Sequence, residues 1–329
     1  MKMILTKEIP MTATVTERAV PAATLPSKVA LPHVVDLRRL DSRRASVSMC
    51  IPARNEADTL GALIAQVQSR LVRRGVVDEI VVMDDRSDDA TASVAAAAGA
   101  RVVSTNEVMQ SFGPSLGKGD AMWRSLAVTT GDIVLFCDGD LESFDVTRLE
   151  DLLHPLLDDR WTMMSKGFFG RLDADGEPGP GGRVTELVAR PLLSLLFPQV
   201  SDIHEPLSGM YAIRRHLAEG FTFEADYGVD VGLLLDTVRK CGRGSVAQVD
   251  LGTLRHANQS LDCLASQAAA VERSILTRAG LQRNTLGTRM GRPGGPFTNI
   301  SSSVRPAFRT VDRTYADAKL DLATVDAVS

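Results

Sequence analysis

Gly131-Asp132-Ile133-Val134-Leu135-Phe136-Cys137-Asp138-Gly139-Asp140 decides the fold: a short apolar run, bounded by a glycine and closed by two acids with one glycine between them. A run of this length suits a buried strand of a covered parallel sheet, since a helix needs more residues. Asp138 and Asp140 then lie at the carboxyl end of the strand. Open α/β sheets bind ligands at that edge, because the loops there line the crevice between strands and helices. Two carboxylates converging from one tight loop give hard oxygen ligands for Mg2+ or Mn2+, and such a metal can hold a diphosphate. The competing reading is that Asp-Gly is an ordinary turn signal.

Upstream, Val47-Ser48-Met49-Cys50-Ile51-Pro52 reads as a strand, followed by Ala53-Arg54-Asn55-Glu56 and a helix from about Asp58, capped by that side chain or by Thr59. Leu60, Leu63, Ile64, Val67 and Leu71 recur at three- and four-residue intervals, which gives one face to a sheet, and Gly75 closes the helix. Glu79-Ile80-Val81-Val82-Met83 is a second strand ending in Asp84-Asp85-Arg86-Ser87-Asp88-Asp89. An alanine-rich helix runs on to Gly99, and Arg101-Val102-Val103-Ser104 is a third strand. The alternation predicts a Rossmann-like α/β half in which polar loops replace the glycine fingerprint of a dinucleotide site. Asn55 and Glu56 after the first strand, and Asp84 and Asp85 after the second, would thus share one sheet edge with Asp138 and Asp140. Carboxylates there can accept hydrogen bonds from a nucleobase or ribose, or simply cap helices.

Between these pieces, Gly113-Pro114-Ser115-Leu116-Gly117-Lys118-Gly119-Asp120 leads into a helix. Lys118 stands between two glycines, on backbone that can approach a ligand closely, and its ammonium can neutralise a phosphate. A bare loop lysine is the alternative.

Bulk properties limit the partners. The 329 residues are 44% hydrophobic, enough for a sizeable core in one large or two modest domains. Lys and Arg total 37 against 41 Asp and Glu, so a net charge of -4 offers no attraction to nucleic acid or to an anionic membrane. The apolar stretch nearest to a membrane span, Leu187 to Val200, is broken by Arg190, Pro191 and Pro198 and falls short of the roughly 20 residues required. Lys7 and Glu8 stand where a signal peptide would need an apolar centre, so a cytoplasmic location is expected. Four cysteines without close pairing read as buried reduced thiols.

The second half carries an anion site of its own. A Gly- and Pro-rich loop, Gly176 to Gly182, precedes a helix starting near Val184, so free backbone N–H groups and the positive helix end face what the loop encloses. Arg183 adds a planar pair of donors and Thr185 a hydroxyl in the first turn. Tyr227-Gly228-Val229-Asp230 starts another helix, with Asp230 in its first turn, where dipole compensation would be a sufficient role. His256 follows a strand and can offer a neutral imidazole nitrogen to a metal, although a lone loop histidine is more often plain surface. A last amphipathic helix spans about Leu261 to Arg278. The expected division is a flexible extension over 1–44, an α/β half over 45–165, a second half with the anion site over 166–282 and a loosely ordered tail over 283–329.

These motifs, in this order, resemble a GT-A fold nucleotide-sugar glycosyltransferase: Ile51 to Glu56, Asp84 to Thr91, Gly117 to Ala121 and Asp138-Gly139-Asp140. Gly181 to Leu193, Pro206-Leu207-Ser208-Gly209, Tyr227-Gly228-Val229 and Ala247 to Gly252 narrow the resemblance to the glucosyl-3-phosphoglycerate synthase family, over about residues 46 to 280. It implies an α/β fold with a mixed central sheet, a homodimer, and retaining transfer of glucose from UDP- or GDP-glucose to 3-phosphoglycerate. Residue by residue, it implies a metal on Asp140 and His256 with Asp138 nearby, and a nucleotide sugar along Pro52, Ala53, Asn55, Glu56, Asp85, Lys118, Asp138 and Gly139. The acceptor would lie against Gly182, Arg183, Thr185, Tyr227 and Asn258. Asp230, the carbonyl of Leu207 and Lys118 would act at the reacting centre. The chain departs from the family pattern at Asp85, where Ser is usual, and at Asp230 and Met210, where Glu is usual, so nucleotide preference and acceptor identity stay open. A related enzyme with another small anionic acceptor, a non-catalytic nucleotide-sugar binder and a sugar-phosphate nucleotidyltransferase are the alternatives; the last lacks its phosphate loop after the first strand.

Overall fold

The computed structural model describes residues 29–30, 45–142, 144–172, 181–255, 260–291 and 294–311. The deciding stretch forms strand β5, Ile133–Phe136, all four residues buried. Ile133 and Leu135 point into one apolar cluster and Val134 and Phe136 into the other, the two-residue alternation expected of a strand covered on both faces. β5 pairs in parallel with β2, Val47–Ala53, which pairs in parallel with β3, Glu79–Asp84, and that in turn with β4, Arg101–Ser104.

Helices α1, Ala57–Val67, and α2, Thr91–Ala97, link these strands. The cap of α1 differs from expectation. Neither Asp58 nor Thr59 caps it: Thr91 Oγ1 accepts from the Glu56 N–H at 2.8 Å and Asp89 Oδ2 from the Ala57 N–H at 3.2 Å. The β3 loop therefore caps the first helix from outside, and Thr59 Oγ1 donates instead to the Gly139 carbonyl at 2.8 Å.

On its other side β5 meets an antiparallel strand, β7, Tyr211–Arg214, which also pairs antiparallel with β6, Met164–Leu172. β9, Val246–Arg255, lies parallel to β6, and β1, Val29–Ala30, lies parallel to β9 at the sheet edge. The order is β1-β9-β6-β7-β5-β2-β3-β4, a mixed sheet as expected. The boundary placed at 165/166 falls inside it, so both halves of the chain share one sheet.

Because β7 runs against its neighbours, it begins where the parallel strands end. Helices α3, Lys118–Val128, and α7, Val229–Cys241, start at the same edge; α4, Arg148–Asp158, α5, Arg190–Leu196, α6, Arg215–Ala218, and α8, Leu261–Arg278, complete the layers. A short strand β8, Phe223–Glu224, and a ribbon of β10, Arg289–Met290, with β11, Thr298–Asn299, lie outside the main sheet.

Two expectations are corrected. Residues 303–311, read as part of a loose tail, are fastened: β12, Val304–Arg305, pairs with β8, Arg305 and Phe308 are buried, and the Trp123 indole N–H donates to the Pro306 carbonyl at 2.8 Å. Cys50 and Cys137 are buried thiols, but Cys241 and Cys263 lie exposed. No helix among the described residues is long and apolar enough to cross a membrane.

Candidate active site

The β5–β7 register builds the site. Phe136 faces Tyr211, and carrying this antiparallel register two residues past Phe136 and two back from Tyr211 brings Asp138 to Gly209. The approach is close: a Cβ on Gly209 would fall 2.2 Å from Asp138 Oδ1 and 2.5 Å from Lys118 Nζ. Gly117, with φ +136, opens α3 so that Lys118 projects from its first turn to the end of β5. Its ammonium donates to Asp138 Oδ1 at 2.8 Å and to Asp230 Oδ2 at 3.0 Å. Burial works against that charge, but Asp138 and Asp230 outweigh it and raise the lysine pKa. Burial likewise pushes the Asp230 carboxyl up, although Lys118 and Lys166 pull it down.

Glu56 lies on the other side of the acid loop, its Cγ 3.5 Å from where a Gly139 Cβ would be. Burial, then the charges of Asp140, Asp138 and Asp89, push its pKa up to about 7. From its ordinary value of 4.5 to about 7, the folded protein therefore holds a proton here that the unfolded chain releases, and stability falls as pH rises through that window. Without divalent cation, the melting temperature is expected to fall more steeply from about pH 5 to 7.5 in the wild type than in Glu56→Gln. Parallel slopes would remove Glu56 from this account.

At the far end of the edge, Asp85 is buried, and its carboxylate accepts from Arg86 Nε at 3.0 Å and Thr105 Oγ1 at 3.2 Å. Burial opposes its charge, yet these bonds hold its pKa below the usual carboxylate value. Asn55, with φ +59, uses its side-chain oxygen to accept from the Asp88 N–H at 3.0 Å, so it ties the β2 and β3 loops together. Pro52 and Ala53 close β2, and the Ala53 carbonyl accepts from the Asp85 N–H at 2.8 Å.

The other side of the site is joined through residues sequence reasoning left unassigned. Glu205 is buried and accepts from the Thr185 hydroxyl at 2.5 Å. Gly209 follows it by only four positions, so the Thr185 helix start and the Lys118–Asp138 pair are bridged by at most about 14 Å of chain. Lys166 is buried beside that bridge. Its Nζ donates to the Ser208 carbonyl at 2.7 Å and sits 4.5 Å from the centroid of the Tyr211 ring. Burial lowers its pKa to about 8, against the pull of Asp230. Its only sequence signal is a charge placed inside a strand.

Arg183 is exposed at the start of the 183–196 helix, where the Gly182 carbonyl accepts from the Glu186 N–H at 2.8 Å. Leu207 packs partly buried against the core. Tyr227, 47% exposed, stands on the rim; burial raises its pKa, with Lys118, Asp138 and Asp140 all acting on it. Met210 is buried in the apolar cluster that holds Val249 and Leu251, an interior in which a glutamate would be costly. His256 and Asn258 lie outside the described residues. Among the described residues no three His, Cys, Asp or Glu side chains form a complete metal cage. The crowded carboxylates Glu56, Asp138 and Asp140 nevertheless have the donor chemistry for a hard cation, which would relieve the part of the Glu56 pKa rise that comes, after burial, from Asp140 and Asp138.

The chain matches the family described as Glycosyl transferase family 2 over residues 48–176. It is 42% identical over 284 residues to glucosyl-3-phosphoglycerate synthase of Mycolicibacterium smegmatis, covering 84% of this chain and 91% of that one. Its structure is similar to that of glucosyl-3-phosphoglycerate synthase from Mycobacterium tuberculosis in complex with Mn2+, UDP-glucose and phosphoglyceric acid, with a TM-score of 0.78 and 35% identity over 85% of this chain and 97% of that chain. Mannosyl-3-phosphoglycerate synthase from Rubrobacter xylanophilus matches with a TM-score of 0.75 and 34% identity over 84% and 93% of the two chains. With its mixed sheet and the acids at the edge of that sheet, the chain has the GT-A glycosyltransferase fold and belongs to the glucosyl-3-phosphoglycerate synthase family of enzymes.

Proposed function

We propose that this glycosyltransferase moves glucose from a nucleoside diphosphate glucose, UDP- or GDP-glucose, to the hydroxyl of 3-phosphoglycerate with retention of the anomeric configuration. The observation that carries the reading is the Lys118 ammonium held between Asp138 and Asp230, with the Glu205 to Gly209 bridge leading from there to the Thr185 helix start. Similarity to enzymes whose names and complexes contain these substrates supports it.

Asp140 and His256, with Asp138 on the nucleotide side, would hold Mg2+ or Mn2+, which when bound supplies positive charge against the departing diphosphate. Lys118 adds a fixed ammonium at the same place, where charge develops as the sugar–phosphate bond breaks. Glu56, Asp85 and Asn55 line the nucleotide end, with Asp85 and Asn55 acting mainly by holding the loops in shape. Arg183 grips the acceptor's phosphate or carboxylate together with the positive end of the helix it opens. Thr185 spends its hydroxyl proton on Glu205, so its part is to anchor the bridge. Tyr227 and Asn258 complete the acceptor side. Attack occurs on the face the diphosphate leaves, with the leaving phosphate taking the acceptor proton and the Leu207 carbonyl orienting the sugar.

The test is an assay with Mg2+ or Mn2+, with UDP-glucose, GDP-glucose or GDP-mannose as donor, and with a panel of small phosphorylated or carboxylated acceptors. Turnover is expected with a glucose donor and 3-phosphoglycerate, and the anomeric coupling of the product by NMR reads retention. No transfer with any pair, or a product of inverted configuration, overturns the proposal, as does preference for an acceptor other than 3-phosphoglycerate. Arg183→Ala is expected to raise the acceptor KM about 10- to 100-fold, the worth of a charged hydrogen bond, with UDP affinity unchanged. Equal losses for both ligands would refute this division of roles.

A further inference from the structure

Lys118 is aimed by a buried charge cluster that lies behind it. Asp120, two residues further along α3, is fully buried, and both its oxygens are engaged. Oδ1 accepts from Arg124 Nε at 3.0 Å and from Arg305 Nε at 2.8 Å; Oδ2 accepts from Arg305 Nη2 at 2.5 Å and from the Leu116 N–H at 3.0 Å. The two guanidiniums do not stop at the carboxylate. Arg305 Nη1 donates to the Phe112 carbonyl at 2.8 Å and Arg124 Nη2 to the Gly113 carbonyl at 2.7 Å, so the loop that delivers Gly117 and Lys118 is tied to the same cluster.

The backbone of the same C-terminal segment holds the other partner of Lys118. Ser303 accepts through its carbonyl from the Ala225 N–H at 3.0 Å, and β12 pairs with β8. The β8 strand leads within a few residues into α7, which carries Asp230. Gly117 and Gly119 lie flush against the Glu224 and Ala225 carbonyls of this connection. Arg305 therefore grips the Lys118 side through its side chain and the Asp230 side through its backbone, across 185 residues of sequence.

We propose that Arg305 is a positioning residue for transfer: it sets the Lys118 ammonium against Asp230 and Asp138 by fixing Asp120. The inference rests on the role given to Lys118 above. A planar guanidinium making four such bonds, the fourth from Nη2 to the Pro114 carbonyl at 3.3 Å, is not replaced by lysine, which brings the charge without the fork, so Arg305→Lys keeps a buried cation beside Asp120 while loosening the geometry.

The experiment is a double-mutant cycle in the full chain, with Arg305→Lys made in the wild type and in Lys118→Ala, read by kcat and by the affinity for UDP with Mn2+. In the wild type kcat is expected to fall roughly ten- to a hundredfold, the usual penalty of a misplaced group. In Lys118→Ala the same change is expected to cost less than about twofold, because the group being aimed is gone. Equal factors in both backgrounds would make Arg305 merely structural, and an unchanged wild-type rate would also overturn the proposal. Melting temperatures above the assay temperature establish that all four proteins are folded. If the wild type transfers nothing with any substrate pair, the reading of function fails by itself, and the cycle read by UDP binding still decides the role of Arg305.

Discussion

Replacing Lys118 by Met is expected to lower the transfer rate about a hundred- to a thousandfold, the usual loss when a fixed donor at a developing anion is removed. The ammonium stands 2.8 Å from Asp138 Oδ1 and 3.0 Å from Asp230 Oδ2, so its loss also leaves two acids facing each other. Removing one partner of a fully buried pair costs about 3–5 kcal/mol. The penalty here is smaller, because the Asp138 side chain is 29% exposed and Lys166 still acts on Asp230. Asp230 can relieve the strain by taking up a proton, since burial already raises its pKa. With a folded pKa above the unfolded one, the destabilisation of Lys118→Met should shrink as pH falls. Two measurements then separate fold from chemistry: the melting temperature of the variant recovers toward the wild type as pH falls, while its rate stays low throughout. A Lys118→Met protein with more than about a third of wild-type turnover would end the claim that this ammonium serves the reaction.

The residues that lie at the ends of parallel strands were legible in advance, because the strand period places every carboxyl end at one edge once the alternation is seen. Asp138, Glu56 and Asp85 arrive there through local pattern alone. Lys118 was legible from its two flanking glycines, and Leu261–Arg278 from its helical period; the Ser260 side chain that caps it, accepting from the Cys263 N–H at 3.3 Å, is a further finding of the structure. Glu205, Lys166 and Gly209 were not, for a common reason. They reach the site because β7 enters the sheet antiparallel, and nothing in Tyr211-Ala212-Ile213-Arg214 announces which way it runs. The fastening of the tail was hidden similarly. Composition around Arg305 is that of a loop, and its burial is compensated by Asp120, which is remote in sequence. The cap of α1 came from Asp89 and Thr91 on another loop, where a local rule looks only to Asp58 and Thr59.

Gly209→Ala is expected to lower kcat about a hundredfold although it removes no functional group. Gly209 is not among the glycines of positive φ, so alanine meets no backbone strain and the whole effect is one of contact. The new methyl would lie 2.2 Å and 2.5 Å from the two Asp138 oxygens and 2.5 Å from Lys118 Nζ, closer than any real Cβ contact. Something must move. The β7 backbone is held on both sides, by β5 and by β6 through the Met210 carbonyl, which accepts from the Gly167 N–H at 2.9 Å. The Asp138 carboxylate, partly exposed at a loop, is the softer partner. Its rotation separates it from Lys118 and weakens the grip on a metal-bound diphosphate, so kcat and Mn2+-dependent UDP affinity should fall together. Stability should drop by only about 1–3 kcal/mol, the scale of a local overpacking. A variant whose kcat stays within about threefold of wild type would mean that the β5–β7 crossing tolerates a side chain, and that the close approach of Gly209 to the ion pair has no part in transfer.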